Sequence, residues 1–297
     1  MFKLKNVLIL AATAVICISA SGCAKPQNPA ADPKPIYGID ETYISAKDAN
    51  DDIFSPENTA KRENSPLDGK KIYWLGSSVT YGSASRGDSM ADYLDALAGT
   101  VSKKEAVSGT TIYDDGREGD SGSKSYTRRL TESSVFNRGD EIDAFICQIS
   151  TNDCTSSRLK YRGSITANDV FAKDSFDRST TLGGIEYIIA YVTEVWNCPV
   201  YFYSGAYFGD GDRVSQSVKG EDYGQFVNEV KAIAEKWMNY NGTQVGVIDM
   251  FHDAEFNAAA SKEYYAWAQS DAIHPKRAGY LQWWTPYLEH RLITDIG

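Results

Sequence analysis

The segment Lys71-Ile-Tyr-Trp-Leu-Gly-Ser-Ser-Val-Thr-Tyr-Gly82 carries the clearest structural signal in the chain. Its apolar run from Ile72 to Leu75 predicts a short buried strand, and Gly76 with the two serines that follow marks a turn. A helical pattern of apolar residues begins at Met90, so the serines are expected on a connection between a strand and a helix. In open α/β sheets such connections lie at the carboxyl ends of the strands, where ligands bind.

Apolar runs and helical patterns alternate along the rest of the chain. The strand candidates are Lys71–Leu75, Glu105–Val107, Ala144–Ile149, Pro199–Tyr203 and Gln244–Asp249. The helix candidates are Met90–Ala98, Ser125–Glu132, Ile185–Val195, Tyr223–Asn239 and Lys276–Leu292. This alternation predicts one α/β domain over residues 67–297, with a parallel sheet covered on both faces.

The first residues have the pattern of a secretory signal. Lys3 and Lys5 precede an apolar run of about 14 residues, Val7–Ala20, which is short for a membrane span. Ala20-Ser-Gly-Cys23 follows and resembles the bacterial lipobox, so residues 1–22 are interpreted as a lipoprotein signal and Cys23 as the lipidated residue. The alternative is ordinary cleavage after residue 22, which leaves a secreted protein.

Two segments separate this signal from the domain. Residues 23–35 are rich in Ala and Pro and are expected to form a tether; residues 36–66 are expected to form an ordered arm along the domain. The predicted location is outside the cytoplasmic membrane, with the protein held by its lipid at the cell surface or in the periplasm.

The charge and the cysteines exclude several classes of function. The formal net charge is −10 with dispersed basic residues, which argues against nucleic acid as a partner. Cys147, Cys154 and Cys198 remain after the signal and allow at most one disulfide, but Cys147 and Cys198 adjoin apolar runs and are expected to pack in the core. No cysteine spacing indicates zinc.

One of the three histidines is suited to activate a serine. His274 follows Asp271 by three positions and precedes Pro275, so the carboxylate is able to orient the imidazole as the acid of a catalytic triad does. His290 lies among charged residues and is interpreted as a surface residue. His252 follows the fifth strand candidate and is a possible neighbour of the site, although it has no matching spacing.

Two further blocks end predicted strands and contain groups that stabilise an oxyanion. Asn152 follows the third strand and has a side-chain amide donor, while Asp153 is expected to fix the same loop. Gly109 follows the second strand and offers a bare backbone N–H.

Taken in order, Gly-x-Ser, Gly, Asn-Asp and Asp-x-x-His-Pro resemble the four motif blocks of the GDSL/SGNH hydrolase family, and they span residues 76–274. The resemblance implies a flavodoxin-like three-layer α/β/α fold with a five-stranded parallel sheet. It also implies a serine esterase without cofactor or metal. In that mechanism Ser78, Asp271 and His274 are catalytic, and the Ser78 N–H, the Gly109 N–H and the Asn152 amide form the oxyanion hole.

The motifs depart from the family pattern at two positions. The usual Gly-Asp-Ser is Gly76-Ser77-Ser78, and the usual Gly-x-Asn-Asp begins at Ser150 instead of a glycine. Ser77 is expected to make turn hydrogen bonds. The literal Gly-Asp-Ser triplets at residues 87–89 and 119–121 do not follow strands, so Ser89 is interpreted as a helix N-cap and Ser121 as a loop residue.

The expected substrate is a short acyl ester, most simply acetyl, on an extracellular carbohydrate. Three polar loops leave the same edge of the sheet, over Tyr113–Lys124, Thr155–Thr180 and Gly205–Gln216, and Tyr207 and Phe208 are expected to stack on a sugar ring. The partner is therefore a small-molecule or polysaccharide ester. Two alternatives remain: a lysophospholipase or lipase with an apolar acyl channel, and a catalytically silent carbohydrate-binding lipoprotein.

Overall fold

A computed structural model describes residues 48–116, 124–209, 215, 217–238, 240, 242–259, 265–267 and 271–297. The predicted signal, the tether, Cys23 and the Gly-Asp-Ser triplet at 119–121 lie outside these ranges. No helix within them combines the length and the apolar character needed to cross a bilayer.

Five parallel strands form the main sheet: β1 Lys71–Gly76, β2 Val101–Ala106, β3 Ala144–Gln148, β4 Val200–Tyr203 and β5 Val245–Ile248. Their spatial order is β2-β1-β3-β4-β5, with all four neighbouring pairs parallel. This is the flavodoxin-like order, so the predicted fold class is confirmed. The order reverses between β1 and β3, and a crevice for ligands opens at such a switch point.

Helices cover the sheet on both faces. Their bounds are α1 Ser78–Tyr81, α2 Met90–Ala98, α3 Tyr126–Glu132, α4 Thr181–Val195, α5 Gly220–Met238, α6 Ala254–Ala259, α7 Arg277–Gly279 and α8 Thr285–Ile296. Short 3₁₀ turns occur at Asp52–Phe54, Pro56–Asn58, Thr151–Cys154, Leu159–Tyr161 and Lys173–Ser175.

The alternating side chains of the strands divide the core into two layers. In β1, Tyr73 and Leu75 pack with α3, α4 and α5, whereas Ile72 and Trp74 pack on the opposite face with α2 and α8. Because both faces are buried, β1 is a continuous apolar run, as parallel strands in doubly covered sheets are. This explains why the run was recognisable in the sequence.

The second strand differs from its prediction. It was expected at Glu105–Val107 but runs from Val101 to Ala106 with the sequence VSKKEA. It lies at the edge of the sheet and its side chains are half-buried or exposed. An edge strand needs no apolar run, and charged side chains discourage pairing with other chains.

The C-terminal region also differs. The helix expected over Lys276–Leu292 is divided into α7, a π-helical segment Tyr280–Trp284 and α8. All five residues of the π segment are buried, and its wider turn accommodates three large aromatic rings. The segment around His274 was not among the strand candidates but forms strand β7, Asp271–Pro275, paired antiparallel with β6, Tyr265–Trp267. Helices α1 and α6 were not predicted.

The described part of the predicted arm packs on the domain. Phe54 is buried in the core layer that contains α2 and α8, and its carbonyl accepts a hydrogen bond from the Tyr93 hydroxyl at 2.7 Å. Arg62 forms an ion pair with the buried Glu289 of α8. Residues 48–66 are therefore structurally part of the compact domain.

The three described cysteines are unpaired and buried. Burial raises the pKa of each thiol above its ordinary value, so Cys147, Cys154 and Cys198 remain protonated packing groups. The predicted burial of Cys147 and Cys198 is confirmed.

Candidate active site

The structure brings the three predicted catalytic residues together. Ser78 is the first residue of α1, directly after β1, and its hydroxyl oxygen lies 2.6 Å from Nε2 of His274. Nδ1 of the same imidazole lies 2.6 Å from Oδ1 of Asp271. Ser78 is largely buried, whereas His274 is partly open to solvent. The three side chains form one continuous chain of hydrogen bonds at the carboxyl edge of the sheet.

Asp271 is held as a carboxylate. Its Oδ1 also accepts the backbone N–H groups of Ile273 at 3.4 Å and of His274 at 3.2 Å. Burial acts to raise the pKa of Asp271, but the bonds and charge of His274 outweigh burial, so the pKa lies below its ordinary value. A carboxylate at Nδ1 fixes the tautomer in which Nε2 is free to accept the Ser78 proton.

The turn that presents Ser78 is shaped by a residue that the sequence did not single out. Oε1 of Gln148, the last residue of β3, accepts the N–H of Ser77 at 3.0 Å, the N–H of Thr80 at 3.1 Å and the Thr80 hydroxyl at 2.9 Å. Gln148 is 2% exposed, and the Tyr203 hydroxyl lies 2.6 Å from that of Thr80. An amide at the end of an otherwise apolar strand is the sequence signal that identifies such a residue.

Gly76 allows this turn to be tight. A Cβ at this position would lie 1.7 Å from the Thr80 hydroxyl oxygen and 3.0 Å from Oε1 of Gln148. Any larger residue therefore displaces the network that orients Ser77 and Ser78.

The three predicted oxyanion donors lie on neighbouring segments. Gly109 has a φ of +79°, a left-handed conformation that favours glycine, and the adjacent Ser108 hydroxyl is 2.7 Å from that of Ser83. The Asn152 amide donates to the carbonyl of Thr110 at 2.9 Å, which leaves its second N–H for a ligand. The loops after β1, β2 and β3 are thus joined by hydrogen bonds, while their role toward an oxyanion remains a prediction.

Two buried side chains fix the same loops. Both carboxylate oxygens of Asp153 accept the N–H of Ile112, at 3.2 and 3.1 Å, and Oδ1 accepts the Thr181 hydroxyl at 3.1 Å. Burial raises the pKa of Asp153 to about 6, although these hydrogen bonds oppose the rise. Asp153 was expected to fix its own loop through local bonds; the structure shows instead that it joins this loop to Ile112, after β2, and to Thr181 of α4.

The second buried side chain that fixes these loops is Arg129 of α3. Its guanidinium is almost fully buried, donates to the carbonyl of Gly76 at 2.8 Å and to the Thr110 hydroxyl at 3.0 Å, and pairs with Glu105 at 3.2 Å. One side chain therefore joins the ends of β1 and β2, which carry Ser78 and Gly109.

The remaining candidates stand apart from this cluster. His252 bonds Asp249 at 2.8 Å with the same three-residue spacing as the His274 pair, a spacing that the sequence analysis overlooked. Ser89 is the N-cap of α2, and a reciprocal bond with Asp92 completes the cap, which confirms its interpretation. His290 is half-buried in α8.

The expectation that Phe208 stacks on a sugar is wrong. Phe208 is 1% exposed and packs against Tyr223 and Phe251, so its ring faces are covered. Tyr207 is half-buried. The loops Tyr113–Lys124 and Gly205–Gln216 are described only in part. Among the described residues no group of three His, Cys, Asp or Glu side chains is arranged to hold a metal ion.

A cavity of about 650 Å³ lies at the opposite edge of the sheet. It is lined by Asn197 and Pro199 before β4, by Gln244 before β5 and by Trp237 near the end of α5. None of the predicted site residues borders it, so the chemistry is assigned from the geometry of Ser78, His274 and Asp271.

No protein-family model and no curated protein matches the chain. Solved structures with a similar fold include a protein from Lactobacillus plantarum, which is 18% identical with a TM-score of 0.53. A carbohydrate acetylesterase family member from Sinorhizobium meliloti is 14% identical with a TM-score of 0.50. Each alignment covers 77% of this chain and 99% of the other. At these identities the similarity establishes the fold alone.

Proposed function

We propose that the protein is a serine esterase, which removes short acyl groups, acetyl in particular, from carbohydrate hydroxyls. Its fold is that of the SGNH/GDSL hydrolases. The observation that carries the proposal is the unbroken hydrogen-bonded chain from Asp271 through His274 to Ser78, with 2.6 Å at both steps. A serine in this arrangement has the base that its hydroxyl needs to become a nucleophile.

In the proposed mechanism each group has a role. His274 Nε2 takes the proton as Ser78 Oγ attacks the ester carbonyl, and Asp271 stabilises the imidazolium. The carbonyl oxygen becomes an oxyanion facing the N–H groups of Ser78 and Gly109 and the amide of Asn152. The bond to the leaving alcohol breaks, His274 gives that oxygen its proton, and the acyl group remains on Ser78. Water then attacks the acyl-serine with His274 as base, which releases the acid and restores the serine.

The substrate class is inferred from the surroundings of the site. The loops at this edge are polar in sequence, and a long acyl chain needs an apolar slot that gains roughly 0.8 kcal/mol per buried methylene. Phe208 is buried in the core and does not line such a slot. The fold is shared with a protein described as a carbohydrate acetylesterase family member, which is consistent with this class of substrate.

The test compares kcat/KM for 4-nitrophenyl acetate and octanoate, followed by acetate release from acetylated oligosaccharides. We expect acetate to be preferred and Ser78→Ala to abolish both reactions. If kcat/KM for octanoate exceeds that for acetate by roughly tenfold or more, the carbohydrate proposal fails and the lipase alternative is favoured. Turnover that survives Ser78→Ala rejects the serine mechanism, and oligosaccharide binding without turnover favours the silent binding protein.

We also propose that the protein is a lipoprotein, anchored through Cys23 outside the cytoplasmic membrane. The support is the lysine-flanked apolar run followed by Ala20-Ser-Gly-Cys23. In the full chain, Cys23→Ala should move the protein from the membrane fraction to the soluble fraction, whereas Cys198→Ala should not. A wild-type protein in the soluble fraction contradicts the anchor.

A further inference from the structure

We infer that Asn50, in the N-terminal arm, is a positioning residue that joins the loop after the nucleophile to the turn after the histidine. Its Nδ2 donates to the carbonyl of Ala84 at 2.7 Å, and its Oδ1 accepts the N–H of Arg277 at 3.0 Å. Ala84 follows Ser78 by six residues and Arg277 follows His274 by three. One amide thus spans two segments that are distant in sequence. The inference rests on the proposed function, since it concerns the alignment of Ser78 with His274.

A second bridge runs beside the first. Asp52 Oδ1 accepts from Arg86, in the loop after α1, and from Arg277, each at 2.7 Å. Arg277 also donates from Nε to Asp88 at 2.6 Å. Two arginines and two aspartates therefore tie the arm and the two catalytic segments into one ionic cluster. Arg277 is largely buried, so its bonds are less screened than those of exposed ion pairs.

The arm itself is fixed at both sides of Asn50. The carbonyl of Ala49 accepts the N–H of Ala278 at 2.9 Å. Phe54 is 3% exposed in the core, and the Tyr93 hydroxyl holds its carbonyl. Asn50 is therefore presented on an anchored segment, and its two hydrogen bonds are able to restrain the segments that they join.

This restraint matters because the histidine is not part of the main sheet. His274 lies in β7, which among the described residues pairs with β6 in a separate two-stranded sheet. Ser78, in contrast, follows β1 near the centre of the five-stranded sheet. No ladder of strand hydrogen bonds among the described residues sets the distance between them. Besides the cluster above, the Tyr280 hydroxyl donates to the carbonyl of Val79 at 2.6 Å.

Loss of the bridge should lower kcat more than it changes KM. Asn50 touches neither Ser78 nor His274, so its effect is exerted through alignment. A displacement of about 1 Å in a catalytic group is able to lower a rate by roughly 10²-fold. Because Asp52 and Tyr280 remain, we expect a smaller loss, roughly tenfold in kcat for Asn50→Ala, with KM within about twofold.

The experiment uses the full chain and two variants at the same site. Asn50→Ala removes both hydrogen bonds, while Asn50→Asp retains the acceptor for Arg277 and loses the donor to Ala84. The matched control is Asn137→Ala, which also removes one accepted bond, from Gly139 at 3.1 Å, and one donated bond, to Asp140 at 2.8 Å, away from the site. Where Asn50→Ala does not fold, Asn50→Asp supplies the comparison.

Three measurements are made per folded molecule: kcat and KM for 4-nitrophenyl acetate, the rate at which a fluorophosphonate labels Ser78, and the downfield NMR signal of the imidazole proton shared by His274 and Asp271. We expect kcat and labelling to fall together and the NMR signal to broaden in both Asn50 variants, but not in Asn137→Ala.

The results separate this inference from the proposed function. If wild-type turnover depends on Ser78 but the Asn50 variants match Asn137→Ala in kcat, labelling and NMR signal, Asn50 has no positioning role. If the wild-type protein shows no turnover, or if its turnover is unchanged in Ser78→Ala, the esterase proposal fails. The NMR comparison between the Asn50 variants and Asn137→Ala still tests the bridge in that case.

Discussion

Two adjacent serines at the end of β1 have different environments. The Ser78 hydroxyl is 2.6 Å from the imidazole of His274. Ser77 is fully buried, and its backbone makes the hydrogen bonds of the turn: the N–H donates to Oε1 of Gln148 at 3.0 Å and the carbonyl accepts the N–H of Tyr81 at 2.9 Å. The turn role expected for Ser77 is therefore performed by its backbone.

This difference predicts a sharp contrast between the two substitutions. Ser78→Ala should abolish labelling by a fluorophosphonate and hydrolysis of 4-nitrophenyl acetate, because it removes the nucleophile. Ser77→Ala should keep most of the activity. As a control, Ser89→Ala should retain labelling and lose about 1 kcal/mol of stability, since Ser89 caps α2. Labelling that persists in Ser78→Ala assigns the nucleophile to another serine.

Two buried glutamines provide a second test. Gln148 accepts three hydrogen bonds from the nucleophile turn, whereas neither side-chain atom of Gln282 has a partner among the described residues. Gln148→Leu should lower the free energy of unfolding by about 1–3 kcal/mol and reduce kcat, because it leaves buried N–H groups unpaired. Gln282→Leu should be neutral or stabilising. Urea titration measures the stability of the two variants and steady-state kinetics measures their kcat. If the two substitutions have equal effects, the hydrogen bonds of Gln148 do not support the turn.

Helices α4 and α5 are joined by a buried ion pair on the face away from α2. Glu186 is 0% and the Lys236 side chain 3% exposed, with 2.6 Å between their charged atoms. Both groups also bond Thr166, so the cluster is fully hydrogen-bonded. Such a pair contributes little over apolar residues of the same size, but either charge left alone is costly.

Glu186→Leu alone should therefore lower the free energy of unfolding by about 3–5 kcal/mol, and adding Lys236→Met should recover much of the loss. The exposed pair Lys61–Asp68 is the control, and Lys61→Ala should cost less than about 1 kcal/mol. Urea unfolding of the single and double variants measures the coupling. Additive losses would mean that the buried charges do not depend on each other.

The stability of the whole molecule should respond to pH through two aspartates with opposite signs. Asp153 has a pKa raised from its ordinary value of 3.8 to about 6 by burial. As pH rises, Asp153 therefore loses its proton at a lower pH in the unfolded chain than in the folded protein. The contribution of Asp153 to the free energy of unfolding declines as pH rises from about 4 to about 6. Asp271 has a lowered pKa, so its contribution is present above its ordinary value and is lost only as pH falls below it.

The difference in unfolding free energy between wild type and Asp153→Asn should thus fall by on the order of 3 kcal/mol between pH 4 and pH 7. Denaturant titrations of both proteins across this range measure it. For Asp271→Asn the difference should decrease as pH falls below about 4, where the carboxylate takes up its proton. A flat difference for Asp153→Asn would show that this carboxyl is not shifted.

The sequence alone determined the fold class and the order of the motif blocks that carry the candidate site residues. Strands β1, β3 and β4 are buried on both faces, and that burial requires apolar runs that are visible without coordinates. Strand β5, at the edge of the sheet, is half-buried in its middle but has a similar apolar run. The blocks around Ser78, Gly109 and Asn152 follow strand ends, and His274 stands between Asp271 and Pro275, so each block is local in sequence. The polar edge strand β2 begins earlier than predicted, and the π-helical turn at Tyr280–Trp284 was not predicted within its helix. Both conformations depend on neighbours that are distant in sequence.

Only the tertiary structure decided which side chains support the site. Gln148, Arg129 and Asn50 act through hydrogen bonds to residues 19 to 227 positions away. No local pattern encodes such a partner, because an amide or guanidinium is equally suited to a solvated surface. Burial and the position of the partner give these groups their roles, and both arise when β1 and β3 come together and the arm closes over the segments that carry Ser78 and His274.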